Sequence, residues 1–381
     1  MATVATATDP VTRAREFCAS YLQKLAAELD RENRFPTELL PQLVEEGVWG
    51  MNYPTEFGGG GLDAVTTHKV AKEYAKVSAG IALTFHVHWM ASDVLLKFGT
   101  PEQKAKYLPD MMRGKKIAAF DISEAQAGSD VAGIQAAATP VEGGWALNGA
   151  KYFCTNGGLA DIYLVAFKTN PEAGAKGVSM FLIEKGAPGF TIGPNQEKMG
   201  CCSAVLTGLN FKDCIIPAEN LIGTVNEGFK AAMYGLTGGR LGMASMGLGI
   251  AEAAMESAAR YANARQAFGK PLSALYSVQE MLSDMYVHCQ AAELLVFRTA
   301  AQRDAGKDYS LDSTVAKLFV AETVNLVCHK AMQIFGGHGY MKHSGIERLA
   351  RDARLMDIGV GSTEVLKMVV GGAVAKMMST R

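Results

Sequence analysis

Apolar residues recur every three or four positions over residues 11–113, which is the spacing of one face of a helix. Leu22 and Leu29 belong to the first such run. Pro36 opens the next one, because proline is favoured in the first turn of a helix. The pattern predicts an all-helical segment over residues 1–116.

The following stretch, residues 117–227, has a different pattern. Short runs rich in β-branched and aromatic residues alternate with turn sequences that contain proline and glycine. Three such runs are predicted strands: residues 162–167, 178–183 and 205–211. No strand is followed by a long helix, which disfavours a doubly wound nucleotide-binding sheet.

Helical spacing returns at Gly228 and continues to the end of the chain. It is interrupted by glycine-containing breaks at residues 268–272 and 335–339. The order of helices, strands and helices predicts an α+β fold with a third segment over residues 228–381.

Composition narrows the classes of function. The chain has 381 residues, 49% of them hydrophobic, and a net charge of −1, so neither a nucleic-acid-binding protein nor a disordered one is expected. No apolar run approaches the roughly 20 residues of a membrane span, and residues 1–15 lack the apolar core of a secretory signal.

The seven cysteines have no spacing typical of a zinc site or an iron–sulfur cluster. Reduced thiols in a cytoplasmic protein are the simplest expectation.

Five short segments carry candidate chemistry. They are FDISEAQAGSD at residues 120–130, LNGAKYFCTN at 147–156, RQAFGKP at 265–271, QIFGGHGY at 333–340 and RDARLMDIGVGSTE at 351–364. Taken singly, the first two read as ordinary serine, glycine and asparagine turns. Arg265 alone would read as a surface cation at the end of a helix.

Together these segments resemble the signatures of the acyl-CoA dehydrogenase family, whose forms include TEPxAGSD, INGxKxWITN, RxQFGxP, QxxGGxGY and YEGTSE. The resemblance extends over essentially the whole chain. It implies an N-terminal helical domain (1–116), a middle β-sandwich or barrel-like domain (117–227) and a C-terminal four-helix-bundle domain (228–381). It also implies FAD as cofactor and an acyl-CoA thioester as substrate.

The resemblance assigns several residues to FAD. Ile122 and Ser123 fall at the pyrimidine edge of the flavin, Phe153 shields one flavin face, and Thr155 lies near N5. Arg265 falls on the pyrophosphate of a neighbouring subunit's FAD, where a fork of fixed donors suits phosphate oxygens. The remaining assigned positions are Phe120, Phe268, Gln279, Gln333, Gly336, Gly337, Ser362 and Glu364.

The resemblance also assigns residues to the CoA thioester, and the chain departs from the family there. The assigned positions are Met90, Ser129, Thr237, Arg240, Gly359 and Val360. Val360 stands where most members carry the glutamate that removes the proton next to the thioester carbonyl. Some relatives carry that base just before the conserved arginine, and this position is Gly239.

A relocated base is therefore expected, and the predicted helix around residue 90 offers two. His86, Met90 and Asp93 follow the spacing i, i+4 and i+7, so they share one face. Asp93 is the first candidate for a catalytic base. His86 is the second, or it orients Asp93 or binds a polar substrate group. Alternatively, Asp93 is an exposed residue near the end of the helix and His86 is a structural histidine.

The leading functional hypothesis is FAD-dependent oxidation of an alicyclic or unsaturated acyl-CoA such as cyclohex-1-ene-1-carboxyl-CoA by 1,4-elimination. The alternatives are a non-oxidative elimination such as desulfination, ordinary α,β-dehydrogenation with a relocated base, and a non-catalytic paralogue. The resemblance further implies an electron-transfer flavoprotein as acceptor and a homo-oligomer, typically a tetramer.

Overall fold

The computed structural model describes residues 9–379. Residues 1–8, which begin the N-terminal stretch predicted to lack a secretory signal, lie outside the described residues. The first described segment is helical, as predicted. Its helices are α1 (Pro10–Phe17), α2 (Gln23–Glu32), α3 (Leu40–Glu45), α4 (Ala64–Val77), α5 (Ala79–Phe98) and α6 (Pro101–Met112). The run opened by Pro36 begins as a 3₁₀ turn, Thr37–Leu39, before α3.

An eight-stranded, mostly antiparallel sheet follows. Its strands are β1 (Ala118–Asp121), β2 (Ala137–Val141), β3 (Gly144–Thr155), β4 (Ile162–Lys168), β5 (Val178–Glu184), β6 (Phe190–Ile192), β7 (Leu206–Pro217) and β8 (Leu221–Ile222). The strand order is β6-β7-β3-β2-β4-β5-β8, and β1 pairs with β4 in parallel. The strand predicted at residues 205–211 is longer in the structure, because β7 stays paired with β3 as far as Pro217.

β4 is buried along its whole length, which explains its continuous apolar sequence. Ile162 and Leu164 join the core formed with the helices, whereas Tyr163, Val165 and Phe167 join a second core enclosed by the sheet. The sheet is thus covered on both faces.

The last segment is again helical. It comprises α7 (Gly228–Ala264), a small hairpin of β9 (Gln266–Ala267) and β10 (Lys270–Pro271), α8 (Tyr276–Asp304), α9 (Ser310–Phe335), α10 (Ile346–Ile358) and α11 (Thr363–Ser379). Helices α7 to α10 pack against one another, and α7 also packs against α4 and α5. The break predicted at residues 268–272 is the hairpin.

Two polar contacts fix the sheet against α5. The Asn156 side-chain amide at the end of β3 donates to the carbonyl of Thr84 (2.9 Å) and to that of Ala118 (3.1 Å). The backbone N–H of Ala118 donates to Nδ1 of His88 at 3.0 Å. The start of β1 and the end of β3 are therefore held beside α5.

Among residues 9–379, α5 has the length and apolar composition of a membrane span, and α10 with α11 forms a second candidate pair bent by 45°. The apolar window of α5 is 89% buried inside the protein. The apolar composition of α5 is therefore explained by its place as the core helix of a folded domain.

Candidate active site

The predicted face of α5 is present and lies against α7. Each of its three residues contacts a glycine of α7. A Cβ added to Gly242 would lie 2.1 Å from Cδ2 of His86. A Cβ added to Gly239 would lie 2.7 Å from Sδ of Met90, and one added to Gly238 would lie 2.8 Å from Oδ2 of Asp93. The close approach requires glycine on α7, since a larger side chain would displace the α5 residue.

The two positions that the sequence resemblance assigns to a base, Gly239 and Val360, meet at this contact. A Cβ on Gly239 would lie 3.0 Å from Cγ1 of Val360, so the two sites are neighbours, and neither carries an acid. Val360 has φ of +56°, a left-handed conformation that is strained for a β-branched residue. The strained loop holds an apolar side chain against α7.

Asp93 is buried, with 6% of its surface exposed, so it is not a solvent-exposed residue at the helix end. Its Oδ1 accepts hydrogen bonds from the Tyr53 hydroxyl (2.9 Å) and from Nη2 of Arg303 (2.8 Å). Burial alone would lower the pKa of Arg303, but attraction to the Asp93 carboxylate outweighs it, so the pKa is raised. The second carboxylate oxygen, Oδ2, is directed at Gly238.

His86 has a different environment. Its Nδ1–H donates to the Ala82 carbonyl at 2.6 Å, and its Nε2 lies 3.4 Å from Oγ of Ser245. Its ring packs edge-on against Trp89, with the centroids 5.1 Å apart. Burial lowers the pKa of His86 to about 4, which makes the neutral ring a weak base at neutral pH. These contacts favour a structural histidine.

The segments assigned to the flavin come together just beyond the end of β1, alongside Lys151 and Tyr152 of β3. The Tyr152 N–H donates to the Ser123 carbonyl at 2.9 Å, and Lys151 Nζ donates to the Ile122 carbonyl at 3.1 Å. Phe153 has φ of +64° and is 63% exposed. An exposed aromatic ring beside backbone donors and a hydroxyl fits the apolar face and polar edge of a flavin.

Phe120 does not share that exposed surface. Its ring is buried against α7, where a Cβ on Gly235 would lie 3.0 Å from Cζ. It packs β1 onto α7, while the half-buried Ser123 and Thr155 remain within reach of a ligand.

The segments assigned to the distal end of FAD meet at the opposite end of α7. Arg265 follows the last residue of α7 and lines a concave site of about 370 Å³ with Phe335 and His338. Phe268 is 90% exposed, and a Cβ on Gly336 or Gly337 would meet no atom within 4 Å. Exposed glycine backbone and a guanidinium fit close approach of a phosphate and a nucleoside.

The two groups of FAD positions are therefore far apart within one chain. At about 1.5 Å per residue, roughly 45 Å of helix separates Gly235, beside Phe120, from Arg265. Other assigned positions lie in accessible places: Gln279 and Gln333 are exposed, Ser362 immediately precedes α11, and Glu364 lies in its first turn.

The positions assigned to CoA are not all gathered at one point. Ser129 lies on an exposed loop, whereas Gly359 and Val360 are half-buried. The Thr237 hydroxyl donates to the Met233 carbonyl at 3.0 Å. Arg240 donates to Oγ1 of Thr314 at 3.1 Å, and its buried Nε has no hydrogen-bond partner within the described part of the chain.

Three residues of the site have no signal in the local sequence. Tyr53 and Arg303 hold Asp93 from 40 and 210 residues away. Asp121 lies buried directly before Ile122 and Ser123. Only the alternation of side chains along β1 could have suggested that Asp121 faces the interior.

Models of the three acyl-CoA dehydrogenase domains match the chain: the N-terminal domain over residues 8–115, the middle domain over 119–214 and the C-terminal domain over 226–375. A short-chain specific acyl-CoA dehydrogenase of Clostridium acetobutylicum is 39% identical over 94% of this chain and 95% of its own.

Solved structures agree with these matches. Butyryl-CoA dehydrogenase from Megasphaera elsdenii superposes with a TM-score of 0.94 at 37% identity, covering 96% of this chain and 97% of its own. PigA, solved with FAD and proline, has a TM-score of 0.92 at 30% identity over 96% of this chain and 97% of its own. The chain belongs to the acyl-CoA dehydrogenase family, and it is an FAD-dependent oxidoreductase that acts on the CH–CH bond of acyl-CoA thioesters.

Proposed function

We propose that the enzyme oxidises an alicyclic or unsaturated acyl-CoA, of the cyclohex-1-ene-1-carboxyl-CoA type, and that Asp93 accepts the proton. One observation carries the proposal. Val360 and Gly239 leave both usual base positions without an acid, while the buried Asp93 carboxylate approaches α7 one residue earlier, at Gly238.

Oxidation of a saturated acyl-CoA begins with loss of a proton from the α carbon, which requires a base beside that carbon. In a cyclohexene carboxylate with its double bond at C1, the α carbon carries no hydrogen. A 1,4-elimination instead removes hydrogen from the two allylic ring carbons, C3 and C6, and gives a conjugated diene. An apolar Val360 beside the α carbon is compatible with this chemistry and incompatible with α-proton removal by that residue.

Asp93 has the environment of a positioned base. Arg303 and Tyr53 donate to the same oxygen, which fixes the position of the carboxylate. The second oxygen, Oδ2, is directed at α7 and is the atom that would accept the proton. The ion pair also limits rotation of the side chain, so the acceptor is held ready.

FAD would be held by two sets of residues. Ile122, Ser123 and Thr155 would bind the polar edge of the flavin, and Phe153 would cover one face. Arg265 would bind the pyrophosphate of a neighbouring subunit's FAD, since roughly 45 Å of α7 separates the two sets within a chain. When bound, FAD accepts the hydride at N5.

The shared FAD site implies at least a dimer, and we propose the tetramer usual for the family. We also propose an electron-transfer flavoprotein as the acceptor. A cytoplasmic location agrees with seven buried cysteines, none of which is in a disulfide.

A panel of CoA thioesters, assayed with purified holoenzyme and an artificial electron acceptor, tests the proposal. Turnover of cyclohex-1-ene-1-carboxyl-CoA with slow or no turnover of butyryl- and hexanoyl-CoA is expected. Oxidation of the saturated thioesters with no reaction of the cyclohexene would contradict it. Anaerobic turnover of a sulfinoacyl-CoA without flavin bleaching would indicate desulfination, and binding of thioesters without any turnover would indicate a non-catalytic protein.

Short-chain α,β-dehydrogenation with Asp93 as a relocated base is a second candidate. The names of the Clostridium and Megasphaera relatives favour it, since both describe enzymes of short saturated chains. It requires the Asp93 carboxylate, which lies beside Gly238, to reach the α carbon of the substrate from there instead of from the usual base position at Gly239. The same panel separates the two candidates through the rate with butyryl-CoA.

A further inference from the structure

Asp121 is a buried acid that the proposed reaction does not use. It ends β1, where Phe120 faces the helical core and Asp121 faces the opposite side of the sheet. The Ser123 N–H donates to Oδ1 of Asp121 at 3.1 Å. Oδ2 is buried and has no hydrogen-bond partner among residues 9–379. An unpartnered buried carboxylate oxygen is costly, so its retention calls for an explanation.

The groups around Asp121 leave it incompletely compensated. From β3, Lys151 attracts the carboxylate but is already bound to Glu124 at 2.6 Å, and the Cys154 thiol donates to the Thr155 carbonyl at 3.7 Å. His88 of α5 binds the Ala118 N–H at the other end of β1, and burial lowers its pKa to about 3, so this neutral ring adds no compensating charge. Two carboxylates and one ammonium leave one uncompensated negative charge when Asp121 is ionised.

Burial raises the pKa of Asp121 to about 7, against partial compensation by Lys151. The acid therefore changes charge near neutral pH. Its surroundings are rigid, because Lys151 also donates to the Ile122 carbonyl and Glu124 accepts the N–H groups of Gln135 and Ala136.

The position of Asp121 connects this charge to the flavin. It immediately precedes Ile122, and it binds the backbone N–H of Ser123. Both neighbours are the residues proposed above for the pyrimidine edge, and the inference rests on that assignment. Reduction by two electrons increases the negative charge at this edge, which disfavours an ionised carboxylate nearby.

We propose that Asp121 is a positioning residue that couples the redox state of the flavin to protonation of the protein. Two-electron reduction adds negative charge beside Asp121, and the carboxylate then takes up a proton from solvent in addition to the proton bound by the flavin. Reoxidation by the electron acceptor releases that proton. The reduction potential of the bound FAD thus falls more steeply with pH than for a flavin that takes up one proton alone.

The test is a spectroelectrochemical titration of the holoenzyme between about pH 6 and about pH 8, which brackets the ionisation of Asp121. Because about half of Asp121 is ionised in the oxidised enzyme near pH 7, the wild-type slope should exceed that of Asp121→Asn by about half a proton per two electrons at about pH 7 and by nearly one proton at about pH 8. The asparagine keeps the acceptor for Ser123 but does not titrate. Asp213→Asn makes the same change at an exposed site on β7 and should retain the wild-type slope.

Equal slopes in wild type and Asp121→Asn would overturn the inference. So would uptake of a single proton when the wild-type holoenzyme is reduced at about pH 8 in weakly buffered solution, where Asp121 of the oxidised enzyme is mostly ionised; this measurement needs no variant. If Asp121→Asn does not fold, Asp121→Ala provides the non-titrating comparison. Ser123→Ala tests the underlying assignment separately: an unchanged flavin spectrum and potential would refute the proposed contact with Ser123, whatever the slope.

Discussion

Replacing Asp93 by asparagine removes the proposed base with little change of shape. The asparagine carbonyl oxygen can still accept hydrogen bonds from Tyr53 and Arg303, as Oδ1 does now at 2.9 and 2.8 Å. The amide nitrogen would then take the position of Oδ2, facing Gly238. It cannot accept a proton, so the variant isolates the loss of basicity.

The magnitude follows from the role. A positioned general base contributes about 10²–10⁴-fold to rate, so kcat for the cyclohexene thioester should fall at least about 100-fold. Breaking a fully buried ion pair costs about 3–5 kcal/mol. The Arg303 side chain is 22% exposed, and the hydrogen bonds are retained. We therefore expect a loss of only about 1–2 kcal/mol in the free energy of unfolding.

Two measurements separate chemistry from folding. Anaerobic stopped-flow bleaching of the flavin gives the rate of the reductive half-reaction, and urea unfolding gives the stability. Thioester affinity should change by less than about threefold, because Asp93 is assigned to chemistry and not to CoA binding. Asp312→Asn is the matched control, since it removes the carboxylate of a more exposed pair with Arg298 at 3.0 Å and should leave turnover unchanged.

Retention of more than about a third of wild-type bleaching by Asp93→Asn would refute the assignment, since a general base contributes far more than threefold. A fall in rate accompanied by loss of FAD would be uninformative about the base. FAD content is therefore measured on every sample, and rates are compared per bound flavin.

Four further predictions follow from the same geometry. Val360→Glu should gain measurable oxidation of butyryl-CoA, because it returns a carboxylate to the α-carbon position; no gain would mean that the thioester binds elsewhere. Gly242→Ala should lower the free energy of unfolding by about 1–3 kcal/mol through its clash with His86, and the additional change His86→Ala should restore part of it; urea unfolding of the three variants checks this. Arg265→Met should weaken FAD binding about 10–100-fold by removing charged hydrogen bonds to phosphate, measured by fluorescence of released FAD, and undiminished retention would contradict the assignment. The pKa of Asp121 is raised from 3.8 to about 7 on folding. Its contribution to stability is therefore present below about pH 4 and is lost as the pH rises through about 7. Over that interval, the free energy of unfolding of Asp121→Asn relative to wild type should increase by on the order of 2–4 kcal/mol.

The helical face that carries the candidate base could be predicted from the sequence. The spacing of His86, Met90 and Asp93 fixes their common direction once the segment is helical, because side-chain phase is a local property. Their contacts with α7 could not be predicted from spacing. They depend on glycines at residues 238, 239 and 242, which allow α5 and α7 to approach closely.

The chemistry of Asp93 and Asp121 depends on residues distant in sequence. Arg303 lies 210 positions from Asp93, and no periodic pattern connects them. The strand alternation of β1 predicts that Asp121 and Phe120 face opposite sides, but not which side is enclosed. That is decided by the coverage of both sheet faces, which also explains why β4 is apolar throughout.

In the proposed reaction, Asp93 removes a proton from a ring carbon other than the α carbon. The most direct measurement is single turnover of cyclohex-1-ene-1-carboxyl-CoA deuterated separately at C3 and at C6, in wild type and in Asp93→Asn. If Asp93 takes part in elimination across C3 and C6, each labelled carbon loses one deuterium, flavin bleaching is slower with the labelled substrates, and turnover is strongly suppressed in the variant. Full retention of deuterium at C3 and C6 in an oxidised product, or unchanged turnover by Asp93→Asn, would contradict it.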